Sequence, residues 1–161
     1  MDHAEASRAG VNREIPPPDR EPLGAVIRRI AETIPGEVLE WMADDPYLMA
    51  AGPGVRDLAL GRDLPATLDL FTPRGDGAAR DIARHIGAEM GSPFHGNIID
   101  GYPVVRVNPI GDSGDSRTVL GRFAFTADRI LIGRSPMVPG PPDDAGFHLA
   151  GDPAFWIDNA T

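Results

Sequence analysis

Residues 66–90, ATLDLFTPRGDGAARDIARHIGAEM, contain the change of pattern that decides the fold. Residues 66–72 alternate between apolar and polar side chains before Pro73, and this alternation predicts a β-strand. Apolar residues then recur at helical spacing, and these are Ala79, Ile82, Ala83, Ile86 and Met90. The spacing predicts a helix over residues 76–90 with Asp76 as its N-cap. Together the two patterns predict one β–α step.

The residues before this step favour short helices. An apolar stripe at helical spacing predicts a helix over residues 22–34, which proline opens and closes. Further short helices are predicted over residues 37–43, 47–51 and 53–60. Each of these is too short to be stable alone, so tertiary packing has to hold them.

The residues after this step favour strands separated by turns. Strand patterns cover residues 96–100, 103–108, 117–126, 129–134, 147–150 and 154–157. Residues 136–146 contain four prolines and predict a long surface loop. Helices and strands are thus segregated along the chain, which is typical of the α+β class. The predicted architecture is a set of N-terminal short helices, one β–α step and a mainly antiparallel sheet that the 76–90 helix covers.

The length of 161 residues fits a single domain that buries its own hydrophobic core. Residues 1–21 mix charged and polar side chains with the run Pro16-Pro17-Pro18, and they carry no periodic apolar face. This composition predicts a flexible arm over residues 1–21, followed by one α+β domain over residues 22–161.

Charge and composition exclude several classes of function. The formal net charge is −9, and no cysteine is present. A negative field repels phosphate backbones and anionic lipids, so we expect neither nucleic-acid binding nor membrane binding. Disulfides and thiolate metal ligands are excluded, and the absence of lysine removes Schiff-base chemistry. The first residues are acidic and polar and do not resemble a secretory signal, so we expect a cytoplasmic protein. We also expect that the protein needs no cofactor.

The turn of residues 72–77 is a candidate anion site. Gly75 and Gly77 lie where the predicted helix begins, and the N–H groups and dipole of a helix N-terminus favour a phosphate or carboxylate. Arg74 can grip the same anion through two hydrogen bonds, although Asp76 repels it. The alternative is a β–α turn in which the glycines only supply the backbone conformation.

His95, Asp100 and Arg106 are the candidate catalytic residues of a small enzyme. Histidine titrates near neutrality and can act as a general base that Asp100 orients. Together with the 72–77 turn, these residues predict an enzyme or an anionic-ligand-binding domain. No nucleophile with a recognisable context accompanies them, so this function is the alternative and not the leading one.

Asp81, His85 and Glu89 follow one another at intervals of four residues, which places carboxylate and imidazole groups on one face of the predicted helix. Arg80 and Arg84 flank this row and favour solvent-exposed ion pairs between residues one turn apart. We therefore predict no metal site.

Six apolar residues are candidates for a protein interface. They are Trp41, Met42, Tyr47, Leu48, Met49 and Trp156. The first five lie on predicted short helices with more apolar side chains than one face can bury, so they belong either to the core or to an exposed apolar groove that receives a partner. With the negative charge, this groove predicts a non-catalytic protein-binding module: an adaptor, a chaperone-like protein, an immunity protein or an assembly component. The expected partner is another protein with a basic patch, or a second copy of the chain.

Overall fold

A computed structural model of the chain describes residues 22–62, 67–90, 104–111, 115–134, 137–138 and 146–159. The flexible arm predicted over residues 1–21 and the strand predicted over residues 96–100 lie outside these residues, as does most of the predicted loop over residues 136–146. Within the described residues, helices pack on a mixed and mostly antiparallel sheet. This confirms the predicted α+β class.

Helices dominate the N-terminal part of the described chain. The elements there are α1 (Leu23–Thr33), α2 (Gly36–Asp44), β1 (Met49–Ala51) and α3 (Pro53–Ala59). Pro22 and Pro35 are the N-caps of α1 and α2. The residue before a proline disfavours helical backbone, and Ile34 is accordingly extended and ends α1.

The helix predicted over residues 47–51 is wrong. Asp45 accepts a hydrogen bond from the Tyr47 backbone N–H at 3.0 Å, which makes a tight turn that does not continue as a helix. Residues 49–51 then pair with a strand on each side, and all three are buried. A strand buried on both faces carries no alternating pattern, so its short apolar run cannot be told from a helix by periodicity.

The predicted β–α step is present, but its helix ends earlier than expected. The elements are β2 (Thr67–Thr72), α4 (Asp76–Ile86), β3 (Glu89–Met90) and β4 (Val104–Pro109). Gly87 adopts φ +71° and ends α4 in a left-handed cap. Gly75 is the N-cap of α4, and Asp76, which we predicted for that role, is the first helical residue.

Two strands predicted in the C-terminal part are wrong. The elements there are α5 (Ser116–Leu120), β5 (Ile130–Arg134), β6 (Phe147–Gly151) and α6 (Phe155–Asp158). Asp115 caps α5 by accepting a hydrogen bond from the Thr118 N–H at 2.9 Å, and Asp152 makes a similar bond before α6. These two helices replace strand at residues 117–126 and 154–157.

The six strands form one sheet in the order β3–β4–β2–β1–β5–β6. The pairs β2–β4 and β3–β4 are parallel, and the other three pairs are antiparallel. β1 lies in the middle and runs antiparallel to both neighbours. Its start therefore lies beside the end of β2, and its end lies beside the start of β5.

The two faces of the sheet are covered unequally. One face packs against α1, α2, α3, α4 and α6 in the larger core cluster. The helix that we predicted as its cover contributes Ala79, Ile82 and Ala83, so it shares this face with the other helices. The opposite face packs against α5, whose Val119 and Leu120 belong to a smaller cluster.

Candidate functional site

The candidate anion site lies where β2 ends and α4 begins, and its arginine is already paired. Arg74 Nη1 donates to Asp45 Oδ2 at 3.3 Å, and the guanidinium carbon lies 5.8 Å from the centre of the Tyr47 ring. The Arg74 N–H donates to Thr72 Oγ1 at 3.3 Å. The basic group expected to bind an anion thus contacts a carboxylate and an aromatic ring of its own chain.

Gly75 has the backbone role that the alternative interpretation gave to the turn. It adopts φ +95°, a conformation that glycine alone takes up without strain. Gly77 lies exposed in the first turn of α4. A Cβ atom at Gly75 or Gly77 would have no neighbouring atom within 4 Å. Asp76 lies exposed between the two glycines and repels an anion from this helix end.

Arg106 is the candidate catalytic residue within the described part of the chain, because His95 and Asp100 lie outside it. Its Nε and Nη2 atoms donate to the two Asp69 carboxylate oxygens at 2.9 and 3.0 Å. Asn108 Nδ2 donates to Asp69 Oδ1 at 3.2 Å. Asp69 and Arg106 are register partners on β2 and β4, so this pair ties the two strands together.

The row Asp81, His85 and Glu89 does not share one helical face. α4 ends at Ile86, so Glu89 belongs to β3. The His85 ring lies 4.6 Å from the ring of Trp41 on α2. Across the residues that the structure describes, no three histidine, aspartate or glutamate side chains come close enough to hold a metal ion.

Four of the six candidate interface residues are buried, so they do not line an exposed groove. The four lie in the core and are Met42, Leu48, Met49 and Trp156. Tyr47 is 41% exposed, with Arg74 over its ring, and Trp41 is half-buried. Met49 belongs to a strand that is buried on both faces, and Met42, Leu48 and Trp156 pack in the larger core cluster, so these apolar residues are satisfied within the chain.

Phe125 is the most exposed large apolar side chain of the described residues, with 71% of its surface accessible. It lies between α5 and β5, in the segment of residues 117–126 that we predicted as a strand. Instead, Phe123 packs edge-on against Phe71, with ring centres 6.0 Å apart, while Phe125 is exposed. No local signal separates the two phenylalanines, because their burial depends on residues distant in the sequence.

Residues 125–129 form a turn that we name the Phe125 turn. The Asp128 N–H donates to Phe125 O at 3.0 Å and closes it. Arg56 of α3 donates to Asp128 Oδ1 at 2.5 Å, and both of these side chains are largely buried. The Asp128 side chain thereby ties the turn to the helix that follows β1.

A second set of contacts ties the Phe125 turn to α6. The Thr126 hydroxyl donates to the Asp158 carboxylate. Asn159 Nδ2 donates to the Ala127 carbonyl oxygen at 3.0 Å. These contacts hold backbone and polar groups, and none of them involves the Phe125 ring. The turn is therefore fixed from two directions while its aromatic ring stays in solvent.

The exposed aromatic rings of Tyr47 and Phe125 lie at opposite ends of the sheet. Tyr47 precedes β1, whose start lies beside the end of β2. The Phe125 turn precedes β5, whose start lies beside the end of β1. The two rings therefore belong to separate surfaces, which we name the Tyr47 end and the Phe125 end.

Neither a protein-family model nor a curated protein matches this chain. None of the described helices is long and apolar enough to cross a membrane. The function therefore has to follow from the fold and from the chemistry of the exposed groups.

Proposed function

We propose that the protein is a non-catalytic protein-binding module, serving as an adaptor, chaperone-like protein, immunity protein or assembly component, and that it binds through the Phe125 turn. The supporting observation is the 71% exposure of Phe125 on a backbone that two other elements hold in place. Full burial of a phenylalanine side chain contributes about 1.5–3 kcal/mol. A partner that covers Phe125 gains a large part of this free energy.

The fixed backbone of the Phe125 turn lowers the cost of binding. A loop that becomes ordered in a complex loses conformational entropy, and each immobilised flexible side chain costs ~0.5–1.5 kcal/mol. Arg56 and Asn159 already order this turn before any partner arrives. An aromatic anchor with polar groups around it is also the usual composition of an interface hot spot.

The alternative function, an enzyme or anionic-ligand-binding domain, has less support. Arg74 contacts Asp45 and Arg106 contacts Asp69, so each arginine already has a carboxylate partner. An anionic ligand at either arginine would have to compete with that ion pair. Protein binding at Phe125 requires no such rearrangement.

Site-specific photo-cross-linking of the full chain in its native cells tests the proposal. Benzoylphenylalanine replaces Phe125 in one chain and Arg80 in a matched chain, because Arg80 is exposed on α4 and has no role in the proposed surface. We expect discrete adducts of defined mass from position 125 and none from position 80. The Asn159→Ala variant is expected to weaken the position-125 adducts, because the turn loses one of its attachments.

Two outcomes overturn the proposal. The first is equal labelling at positions 125 and 80, which means that contacts are non-specific. The second is the absence of any discrete adduct from position 125 under conditions in which the chain is folded.

A further inference from the structure

Arginine–aromatic stacking recurs within the described residues. The guanidinium carbon lies over the ring in Arg74–Tyr47 at 5.8 Å, Arg122–Phe71 at 6.0 Å and Arg134–Phe147 at 5.4 Å. A cation is attracted to the negative face of an aromatic ring, with a free energy of ~0.5–1 kcal/mol at exposed sites. The chain contains no lysine, so arginine supplies every permanently charged side-chain cation that it has.

Phe125 is the exception among the aromatic side chains in the described part of the chain. The other rings that carry no stacked arginine contact a second ring instead, and these include Trp41, Phe123 and Phe155. No ring or guanidinium contact of Phe125 is present within the described residues, and the side chain is 71% exposed. Its aromatic face is therefore open to a cation from another molecule.

The net charge of the chain favours a cationic partner over an anionic one. The net charge of −9 attracts a basic surface and repels a second copy of the same chain. Asp158 lies exposed beside the Phe125 turn, where its carboxylate accepts a hydrogen bond from Thr126. The turn that carries the open aromatic face thus also has an exposed carboxylate beside it.

We infer that the partner of the Phe125 turn is a basic protein segment whose arginine side chain stacks on the Phe125 ring. This inference rests on the proposed function, since it names the chemistry that protein binding brings to the same surface. Arginine fits better than lysine, because its planar guanidinium is weakly hydrated and stacks on aromatic rings. The rival occupant is an apolar pocket that simply covers the ring.

Two synthetic peptides test the inference by nuclear magnetic resonance with the ¹⁵N-labelled full chain. Both are glycine-spaced, and they differ only in that one carries arginine and the other citrulline, which keeps the shape and removes the charge. We expect the arginine peptide to shift the backbone amide signals of residues 124–129. It should bind about two- to fivefold more tightly than the citrulline peptide.

Substitutions of the ring separate a cation contact from an apolar one. Phe125→Leu keeps most of the apolar bulk and removes the aromatic face, so it should weaken the arginine peptide about two- to fivefold. Tyr47→Leu is the matched control at the other end of the sheet, where Arg74 already covers the ring, and it should leave binding unchanged. Unchanged amide signals from the core verify that both variants are folded.

The outcomes distinguish this inference from the proposed function. Equal binding of the two peptides, equal binding by Phe125→Leu and the unsubstituted chain, or no amide shift at residues 124–129 each overturns the inference of a stacked arginine. The proposed function survives those results if position 125 still gives discrete cross-linked adducts in the cell. It fails when those adducts are missing or when position 80 is labelled equally.

Discussion

The two ends of the sheet each expose one aromatic side chain, but their charged residues act differently. At the Tyr47 end, Arg74 lies over the ring and pairs with a carboxylate. At the Phe125 end, Arg56 pairs with the Asp128 side chain and not with the aromatic ring. The Phe125 ring is therefore uncovered. An exposed aromatic side chain is therefore a candidate for contact with a partner protein when the polar groups around it bind one another or the backbone and leave the ring uncovered.

Two glycines give the largest expected difference between the ends. Gly52 and Gly75 are the N-caps of α3 and α4, and their φ angles are +92° and +95°. A Cβ at Gly52 would lie 2.6 Å from the Phe123 ring, whereas a Cβ at Gly75 would have no neighbour within 4 Å. Gly75→Ala then carries backbone strain on the order of 1–3 kcal/mol. Gly52→Ala adds overpacking of about 1–3 kcal/mol.

Urea unfolding of the two alanine variants measures this difference. We expect the free energy of unfolding to fall by about 2 kcal/mol more for Gly52→Ala than for Gly75→Ala. Because Phe123 precedes the Phe125 turn, Gly52→Ala should also shift the amide signals of residues 125–129. Equal losses of stability would show that Phe123 does not press against the end of β1.

The ion pairs give the next largest difference. The Arg56 and Asp128 side chains are 26% and 16% exposed, whereas the Arg74 and Asp45 side chains are 57% and 8% exposed. Arg56→Ala leaves a largely buried carboxylate without its main partner and should cost about 1 kcal/mol. Arg74→Ala removes a mostly exposed guanidinium, and the buried Asp45 carboxylate keeps its hydrogen bond from the Tyr47 N–H, so the cost should be about half as much or less. Thermal unfolding compares the two, and a larger loss from Arg74→Ala contradicts the contrast between the ends.

The elements that the sequence predicts correctly are those whose pattern is complete within one segment. α1 and α4 each carry an unbroken apolar stripe, and residues 67–70 of β2 alternate between half-buried and buried, so local spacing was sufficient. β1 is buried on both faces and therefore has no alternating pattern. α5 begins at an aspartate cap inside a segment whose later residues alternate, so the alternation predicted a strand that does not form.

The candidate site could not be predicted from the sequence, because it depends on contacts between residues that are far apart along the chain. Arg56 and Asp128 are 72 residues apart, and Ala127 and Asn159 are 32 apart. The same limit affected Arg74, which we expected to bind an anion, since its carboxylate partner lies 29 residues away. Residue type predicts which groups can take part in a contact, and only the fold determines which of them are already paired.

Asn159→Ala tests whether the Phe125 turn is held as firmly as its contacts indicate. The variant loses hydrogen bonds to the Ala127 and Phe155 carbonyl oxygens. The loss of about 1 kcal/mol should speed amide hydrogen exchange in the turn about fivefold. Asn108→Ala is the matched control, because its amide bonds lie in the sheet and its loss should leave exchange in the turn unchanged. Unaltered exchange in Asn159→Ala means that α6 does not fix the turn.

Phe125→Ser should have the smallest effect on stability of all these changes. The ring makes no aromatic or guanidinium contact with the described residues and is 71% exposed, so the free energy of unfolding should change by less than about 0.5 kcal/mol. Tyr47→Ser should cost slightly more, because it removes the stacking of Arg74. Urea unfolding of the two variants measures both effects. A loss of several kcal/mol from Phe125→Ser would mean that the ring stabilises the fold. A negligible loss of stability, together with the loss of partner binding, would separate the role of the ring in binding from any role in folding.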